Sequence, residues 1–542
     1  RGKTWGRARL TVTYDDGLVQ TIQYRVIKPE AQAVADLGKF STTKQWFDDK
    51  EDHFHRAPSV MTYDRELNQI VTQDSRVWVA GLSDEGGAGA WLAAMMKELV
   101  EPDKAELTKL ESFADNVLWG GIQFRDDPKP YGVRKSVFYY QPDELPPNFY
   151  RSDLNWTSWT SWNKKASEAV DRSYDYPHVV AAYWVLYRLA RNHSGLVTNH
   201  PWNWYLEHAY QTSTAMMKFA PYYTRFGLME GDIFLEVLLD MKREGMDTEA
   251  ADMEAKMRSR AERWKGEQYP FGSEMPWDST GQEEVYAWTK YFGYDDKAEV
   301  TLNAILGYMP TVPHWGYNGS ARRYWDFIYA AKYGRIERQL HHYGSGINAI
   351  PVLRAYRDHP DDIYLLRIGY GGTMGALTNI DQEGFASAAF HAFPDRLDFD
   401  PLTGDYGPNF FGHALNTAAY LVKHPEFGWV AFGGNVSVAG DRVKLTPLDS
   451  SRTRVYIAPA GLWLTLDAGT FSGVEYNAKT RDVRVELAAA DAFTPAARLR
   501  VEQPATVAGI GKYALPKELK LERDAYSIPL GKATTTVVLA QR

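Results

Sequence analysis

The sequence predicts an α+β multidomain protein, an (α/α)6 toroid followed by an antiparallel β-sandwich, with a remnant β-hairpin at the amino terminus. Three patterns support this prediction. Apolar residues follow the helical period between about residues 40 and 420, alternate with period two from about residue 428, and alternate around one turn within 5–28. At 542 residues the chain is too long for one ordinary core. The predicted domains are 1–35 for the hairpin, 36–422 for the toroid and 423–542 for the sandwich.

The amino-terminal segment has the pattern of two short strands. Leu10 and Val12 alternate with polar residues, and an Asp-Asp-Gly turn at 15–17 separates them from a second alternating run at 19–26. A two-stranded hairpin is only marginally stable by itself. We therefore expect it to end a β-sandwich whose earlier strands precede this chain, or to add an edge to another sheet.

The central region combines helices of two kinds. Residues 179–187 are apolar on nearly every face, as in a buried helix, whereas residues 233–243 are apolar on one face only. This alternation predicts two concentric layers, and about ten to twelve successive helices fit an (α/α)6 toroid. An α-solenoid is the alternative, but no fixed-period repeat is present. The predicted helices are 88–100, 176–191, 204–218, 231–243, 248–264, 281–292, 297–308, 321–333, 345–357 and 361–374.

The carboxyl-terminal region contains short apolar runs of period two, separated by Gly, Asp, Asn and Pro. This pattern predicts an antiparallel β-sandwich. The order sheet, toroid, sheet is common among polysaccharide-active enzymes, which is an analogy of fold alone. The predicted strands are 427–432, 454–457, 462–466, 483–487 and 535–539.

Composition and charge argue against several classes of function. A net charge of -8 argues against a nucleic-acid partner, because such proteins usually have a basic surface. No apolar run approaches the ~20 residues that span a bilayer. The absence of cysteine rules out disulfides, thiolate metal sites and a cysteine nucleophile. No histidine spacing predicts a metal site and no phosphate-binding glycine motif is present, so we expect no metal and no cofactor.

The start of the chain bears on its compartment. It begins at Arg1 without a Met or a signal-peptide pattern. We interpret it as a processed or truncated product of an exported protein, secreted or periplasmic. The sequence leaves the oligomeric state open.

The content of aromatic residues is the most informative feature of the composition. Trp, Tyr and Phe make up 14% of the chain, which suits either sugar-binding surfaces or a large aromatic core. Between Phe271 and His413, the loops combine aromatic and acidic residues with glycines, which let a backbone approach a ligand. Because a pyranose ring has an apolar face and polar edges, these loops predict the site of a carbohydrate-active enzyme.

A glycoside hydrolase acting on a polysaccharide or oligosaccharide is the first hypothesis. It requires two carboxyl groups, one to protonate the leaving oxygen and one to activate water or attack the anomeric carbon. The predicted general acid is Glu274 or Glu284, and Glu274 lies in a proline- and aromatic-rich loop where desolvation raises a carboxyl pKa. The predicted partner is Asp381 or Glu383, which face the same way if that stretch is extended.

These carboxylates also have structural interpretations. Glu283 would complete a capping box if Ser279 or Thr280 caps the following helix. Asp381 and Glu383 would form an Asx turn and an ion pair. The predicted substrate contacts are the aromatic residues Trp277, Trp315, Tyr317 and Trp325, together with Arg322, His342 and Tyr343.

A lyase acting on a uronate-containing polymer is the second hypothesis. It needs a Tyr or His base and an Asn, His or Arg that neutralises the uronate. The candidates are His341, His342, Tyr343, Asn348, Asn318 and Arg322. The segment His200–Trp204 also resembles, over few residues, the Asn-Trp-Trp segment of hyaluronate, chondroitin and xanthan lyases. A non-catalytic glycan-binding protein is the third hypothesis.

Four segments carry a wider resemblance: Gly316–Asp326, His342–Pro351, Thr378–Phe385 and Gly404–Gly412. They resemble an uncharacterised bacterial and fungal family of six-hairpin glycosidase-like proteins, a domain of unknown function. The resemblance extends from about residue 5 to the final strands. It implies a toroid preceded by a β-sandwich, as in exported polysaccharide-degrading enzymes, and it assigns no catalytic residues.

Overall fold

The computed structural model describes residues 6–270, 272, 280–308, 339–340, 342–392, 397–448, 450 and 452–541. A helical region is followed by a sheet-rich region, which confirms the predicted mixed α+β class. The helices are α1 (Glu30–Ser41), α2 (Val77–Ala80), α3 (Asp84–Lys97), α4 (Lys104–Phe113), α5 (Lys164–Ser167), α6 (Tyr176–Asn192), α7 (Trp202–Phe219), α8 (Ile233–Glu244), α9 (Asp247–Gly266), α10 (Gln282–Tyr291), α11 (Asp295–Tyr308), α12 (His342–Asp358), α13 (Ile363–Leu377) and α14 (Tyr406–Asn416).

Most strands lie at the two ends of the chain. The strands before the last helix are β1 (Gly6–Thr13), β2 (Val19–Val26), β3 (Trp46–Phe47), β4 (Ser59–Val60), β5 (Tyr63–Asp64), β6 (Gln69–Ile70), β7 (Gln339–Leu340), β8 (Phe390–Ala392) and β9 (Leu397–Phe399). Those after it are β10 (Ala419–His424), β11 (Gly428–Phe432), β12 (Gly434–Ala439), β13 (Arg442–Pro447), β14 (Arg454–Ile457), β15 (Leu462–Ala468), β16 (Phe471–Asn477), β17 (Val483–Leu487), β18 (Ala496–Glu502), β19 (Tyr513–Ala514), β20 (Lys520–Glu522), β21 (Ala525–Pro529) and β22 (Thr535–Gln541).

The amino-terminal hairpin forms as the alternating pattern predicted. Strands β1 and β2 pair antiparallel from Gly6 opposite Val26 to Thr13 opposite Val19. Within the part of the chain that the structure describes, neither strand pairs with a third. The hairpin is followed directly by α1, which begins at Glu30.

Six of the long helices pack against one another in two runs, which the contact between α14 and α3 joins. Helix α3 contacts α6, α6 contacts α8, α10 contacts α12, and α12 contacts α14, which in turn packs on α3. We call α3, α6, α8, α10, α12 and α14 the inner helices. They supply much of the main hydrophobic cluster, to which α6 contributes a continuous buried run from Tyr176 to Tyr187. The other long helices alternate with them along the chain.

Two close helix contacts depend on glycine. In α14, Gly412 lies against the backbone of Gly346 in α12, and Gly407 lies against Gly89 in α3. A Cβ atom at Gly412 would clash with the backbone of Gly346, which cannot move away as a flexible side chain can. Glycine therefore sets the distance at which α14 packs between α12 and α3.

The carboxyl-terminal region contains two multi-stranded sheets that share one hydrophobic cluster. One sheet has the order β11-β10-β14-β15-β18-β21-β20 and the other β12-β13-β16-β17-β22-β19. The prediction of a wholly antiparallel arrangement is wrong at one place, because β10 and β14 pair in parallel. The chain leaves the first sheet to form β12 and β13 and returns as β14 on the other side of β10, in the same direction.

Ion pairs and hydrogen bonds join the sheets to the helices. Arg188 of α6 donates to Asp467 of β15 at 2.6 Å, and Arg523 donates to Glu244 of α8 at 2.9 Å. Charge-assisted hydrogen bonds of this kind are stronger than neutral ones. The first carboxyl-terminal sheet is therefore held against the helices by charge as well as by apolar contact.

Replacement of Gly412 by Ala should destabilise the protein by about 1–3 kcal/mol, because the added methyl group overpacks the contact between α12 and α14. The measurement is the free energy of unfolding by chemical denaturation. The matched control is Gly266→Ala at the end of α9, where a Cβ meets nothing within 4 Å. Equal stability of the two variants would contradict the packing role of Gly412.

Candidate functional site

Acidic residues mark the amino-terminal ends of the inner helices. Asp84 begins α3, Asp175 and Asp232 immediately precede α6 and α8, Glu283 lies in the first turn of α10, and Asp405 precedes α14. The partial positive charge of a helix amino terminus favours a carboxylate at each position. None of the five is more than 2% exposed, so each must be paired, protonated or functional.

We use the name polar cluster for a connected group at this end of the helices. Its members are Asp84, Arg172, Asp175, His178, Glu230, Asp232, Glu283 and Glu284. The following contacts link them in a line that runs from α3 through α6 and α8 to α10.

Asp84 and Asp175 share one guanidinium unequally. Arg172 donates from Nε to Asp84 at 2.9 Å but lies 3.9 Å from Asp175. Neither oxygen of Asp175 has a hydrogen-bond donor within the described residues. Burial raises the pKa of Asp175 well above its ordinary value, and the charge of Asp84 raises it further, although Arg172 opposes this. The raised pKa of Asp175 favours the protonated carboxyl, which is the state of a general acid.

His178 lies one turn after Asp175 on the same face of α6. Its Nδ1 lies 2.5 Å from a carboxylate oxygen of Glu230, and its Nε2 has no partner among the described residues. Burial raises the pKa of Glu230, while His178 lowers it. A carboxylate that holds Nδ1 fixes the orientation of the ring and directs Nε2 away from it. This geometry suits a general base.

Two adjacent carboxyl groups in α10 have opposite environments. Glu284 forms a buried bidentate ion pair with Arg260, in which Nη2 to Oε2 is 2.8 Å, and it accepts the backbone N–H of Leu228 at 2.7 Å. Neither oxygen of Glu283 has a side-chain hydrogen-bond donor in the described residues. Burial raises the pKa of Glu283 well above its ordinary value, and the charge of Glu284 adds to the rise. Nearby backbone N–H groups only partly oppose it.

Asp232 connects the polar cluster to α12. Both of its oxygens accept from Arg354, at 2.8 and 3.0 Å, and Arg354 also contacts Glu236 at 3.0 Å. Burial raises the pKa of Asp232 to about 6, against the effect of Arg354. Asp232 is thus a paired carboxylate, unlike Asp175 and Glu283.

Asn409 lies in the first turns of α14, at the contact with Gly346 of α12. It is fully buried, and neither its Nδ2 nor its Oδ1 has a partner among the described residues. Burying an amide without hydrogen-bond partners costs about 1–3 kcal/mol of stability, so an unpaired Asn at this position points to a ligand contact.

Aromatic rings extend from this end of the helices to the surface. Trp78 lies against Gly86 in the first turn of α3. Its ring centroid is 4.8 Å from that of Trp162 and 6.1 Å from that of Trp159, which is 64% exposed. An exposed indole supported from beneath by a second one presents a flat apolar face, as a sugar ring requires.

The structure describes only some of the site residues predicted from sequence. Glu274, Trp277, Trp315, Tyr317, Arg322 and Trp325 lie outside the described residues, as does the side chain of His342. Tyr343 lies in the first turn of α12 and is fully buried. Glu284 belongs to the polar cluster, but its two oxygens are held by Arg260, which fits a structural ion pair.

Asp381 and Glu383 lie together in a turn. Asp381 accepts the backbone N–H groups of Glu383 and Phe385 at 2.8 and 3.0 Å. Arg65 contacts Asp381 at 3.4 Å and Glu383 at 2.5 Å, and the Glu383 side chain is 58% exposed. The turn and ion pair that were the alternative interpretation account for these contacts. The other alternative is wrong: Gly281 with φ 82° precedes α10 and no side chain caps it, so Glu283 completes no capping box.

The lyase-like segment at 200–204 lies at the start of α7, after the carboxyl-terminal end of α6. His200 stacks on Trp204 with ring centroids 3.9 Å apart and its Nε2 lies 2.8 Å from Asp115. Since His178 belongs to the opposite end of α6, this segment is remote from the polar cluster.

Sequence reasoning missed most of the residues that form the site. Asp175 directly precedes the most apolar helix and His178 lies in its first turn. A carboxyl and an imidazole are unusual beside such an apolar segment, and this is the signal that could have indicated the site. Trp156, Trp159 and Trp162 recur at every third position, a second signal in the sequence that could have indicated an aromatic surface. Among the described residues, no group of His and acidic side chains has metal-binding geometry, and no helix is long and apolar enough to cross a membrane.

Glu283→Gln and Asp175→Asn should each raise the free energy of unfolding at about pH 8 by about 1–3 kcal/mol, because they remove a buried carboxyl that resists ionisation. A raised folded-state pKa means that the native state binds more protons than the unfolded state. This contribution to stability is therefore complete below about pH 4 and is lost as pH rises through the folded values. Denaturation curves from acid to alkaline pH should decline less steeply for both variants.

The neighbouring substitution gives the control. Glu284→Gln should lower the free energy of unfolding by about 3–5 kcal/mol, because it leaves Arg260 buried without its counter-charge. The same denaturation curves measure it. Similar effects of Glu283→Gln and Glu284→Gln would refute the assignment of different roles to the two carboxyls.

Comparison with known proteins identifies the family of the chain and one solved structure with a similar fold. No curated protein matches the chain. A solved structure titled "Polysaccharide Lyase BACCELL_00875" is similar with a TM-score of 0.56 and 18% identity over 76% of this chain. The chain spans 56% of that lyase, and the likeness is one of fold. A family model matches residues 1–538, and the chain belongs to DUF5695, a family of unknown function.

Proposed function

We propose that the protein is a polysaccharide-processing enzyme that cleaves a uronate-containing polymer by β-elimination, with the polar cluster as its active site. The observation that carries this proposal is the pair His178 and Glu230, in which Nδ1 is held and Nε2 has no partner among the described residues. The fold shared with a polysaccharide lyase supports it.

His178 serves as the base. In the neutral tautomer whose Nδ1–H donates to Glu230, the Nε2 lone pair takes the proton from the carbon next to the uronate carboxylate. The electrons of that C–H bond form a carbon–carbon double bond, and the glycosidic C–O bond breaks.

Asp175 serves as the acid. Its raised pKa favours the protonated carboxyl, and this proton passes to the leaving glycosidic oxygen. Because Asp175 and His178 lie one turn apart on one face of α6, the acid and the base are fixed relative to each other. The products are a new non-reducing unsaturated uronate and a new reducing end.

Removal of the proton needs a neutralised uronate carboxylate. Asn409 is buried without a hydrogen-bond partner in the described residues, and the raised pKa of Glu283 favours a protonated carboxyl that can donate. Donors of this kind stabilise the charge that develops on the carboxylate in the transition state. We assign this role to them.

Substrate entry requires an opening above the polar cluster, because Asp175, His178 and Glu230 are at most 2% exposed. Closure around the sugar then excludes water, as in many enzymes with moving loops. The inner helices supply the rigid part: their succession, with α14 packed back on α3, supports the predicted (α/α)6 toroid with the cluster at one mouth.

The aromatic residues supply the binding surface for the polymer. Trp159 and Trp162 form a platform next to the first turn of α3. The sequence-predicted contacts Trp277, Trp315, Tyr317, Arg322, Trp325 and His342 remain part of this proposal, as does secretion of the protein to reach a polymeric substrate.

Glycoside hydrolysis is the second candidate. Two buried carboxyls with raised pKa values, Asp175 and Glu283, favour it, because each can protonate a leaving oxygen. In that mechanism a carboxylate such as Glu230 activates water. The sequence-predicted acid Glu274 also remains a candidate there.

The first test incubates the protein with uronate-containing and neutral polysaccharides and follows both ultraviolet absorbance and new reducing ends. On a uronate polymer the two signals should rise together. His178→Gln and Asp175→Asn should each lower kcat at least about a hundred-fold, because each removes a proton-transfer group. His200→Gln, outside the polar cluster, should leave the rate unchanged.

Other outcomes separate the hypotheses. Reducing ends without absorbance would replace elimination by hydrolysis. Binding without any product would favour the glycan-binding alternative. Full activity of His178→Gln would contradict the assigned base in either mechanism.

Trp159→Ala should raise KM for the polymer about two- to ten-fold with little change in kcat, since the ring binds sugar away from the reacting atoms. Initial-rate kinetics measure both constants. The control is Phe427→Ala, which removes a 72% exposed ring from the turn between β10 and β11. An equal effect of the two changes would contradict the platform.

A further inference from the structure

A large cavity lies where the helices meet the first carboxyl-terminal sheet. Its volume is about 580 Å³, within the range of small-ligand sites. Side chains from α6, α8, α10 and α12 form one wall, and those from β14, β15 and β18 form the other. Arg354, the partner of Asp232, lines it, so the cavity lies beside the polar cluster.

The walls of the cavity carry seven basic and four acidic side chains, and most of the basic ones are already paired. Arg188 and Arg500 hold Asp467, with Arg500 Nη2 at 2.5 Å. Lys290 lies 3.6 Å from Asp358, and Arg354 holds Glu236. These pairs are structural and leave little charge for a ligand.

Arg357 and Arg454 differ from the other basic residues. Within the described residues, neither has a carboxylate within 4 Å. Arg357 lies over the ring of Trp463 at 4.4 Å, and Arg454 donates only to the backbone oxygens of Ala414 and Thr417. Among the described residues, the hydrogen-bond acceptors of Arg454 are therefore neutral backbone oxygens, and the carboxylate of Glu236 acts on it only through space.

The two guanidiniums also repel each other. Burial lowers the pKa of Arg454 to about 10, and the charges of Arg188 and Arg357 contribute to this. Two like charges in one partly buried cavity, with an aromatic ring between the helices and the sheet, form an environment that an anion would stabilise.

We propose that this cavity binds a carboxylate-bearing sugar unit, with Arg357 and Arg454 holding the carboxylate and Trp463 lining the ring. This inference rests on the proposed function, which makes the substrate an acidic polymer. The cavity is then a second binding site, separate from the polar cluster. Planar guanidiniums match a carboxylate in a bidentate way, which a neutral sugar cannot use.

A binding site in this cavity would hold one part of the polysaccharide while a neighbouring part is cleaved at the polar cluster. Along α6, ten residues separate His178 from Arg188, which is about 15 Å or roughly three sugar units. The cavity therefore retains a different part of an acidic saccharide from the part that reaches His178.

The test is calorimetry on the full chain carrying His178→Gln, with short oligomers of galacturonate, mannuronate and hyaluronan. Fully methyl-esterified galacturonate, a sulfated oligosaccharide and inorganic sulfate complete the set. At least one uronate oligomer should bind, the ester should not, and Arg357→Gln should weaken binding at least about ten-fold. Arg357→Lys should give an intermediate loss, because it keeps the charge but not the planar fork.

Arg263→Gln, on α9 and outside the cavity, is the control and should leave binding unchanged. Thermal unfolding of each variant verifies the fold. Equal binding of ester and acid, stronger binding of the sulfated than of any uronate oligomer, or binding of sulfate alone would overturn the proposal. A failure of Arg357→Gln to weaken any uronate binding event, or the absence of binding by all the uronate oligomers, would do so as well. Catalysis does not enter this readout, so failure of the proposed chemistry stays distinguishable.

Discussion

The structure depends most on the cost of burying carboxyl groups at the amino-terminal ends of the inner helices. Helix dipoles and three guanidiniums, Arg172, Arg260 and Arg354, compensate Asp84, Glu284 and Asp232. Asp175 and Glu283 are compensated less, because Arg172 lies 3.9 Å from Asp175 and Glu283 has no guanidinium partner among the described residues, and burial raises the pKa of both carboxyls. A fold that only needed stability would place apolar residues at these two positions, so their cost marks them as functional groups.

Tight packing of the helices offsets the free-energy cost of burying these carboxyl groups. The glycines of α14 let the helix approach both α12 and α3, and the apolar face of α6 anchors the acid and base to the core. Ion pairs such as Arg188 with Asp467 fix the sheets against the helices. At the same boundary, Arg357 and Arg454 have no carboxylate within 4 Å among the described residues, which supports the proposed anion site in the cavity.

The sequence predicts the scaffold better than the site. Helix α6 is predicted at 176–191 and found at Tyr176–Asn192, because it is apolar on nearly all faces. Helix α14 was missed, since Gly407, Pro408 and Gly412 lower helix propensity and are favoured only by its close packing. Adjacent residues of the same type can also differ in role. The sequence Glu283-Glu284 does not indicate that Arg260 pairs with Glu284 and not with Glu283. Long-range pairing of this kind is decided by the tertiary fold.

A crystal structure of the Asp175→Asn variant with a uronate oligosaccharide tests the central claim most directly. The variant lacks the proposed acid and should hold an intact chain. A uronate should lie in the polar cluster, with the carbon next to its carboxylate facing His178 Nε2 and the carboxylate on Asn409 or Glu283. An oligosaccharide bound elsewhere, with the polar cluster still closed, would contradict it.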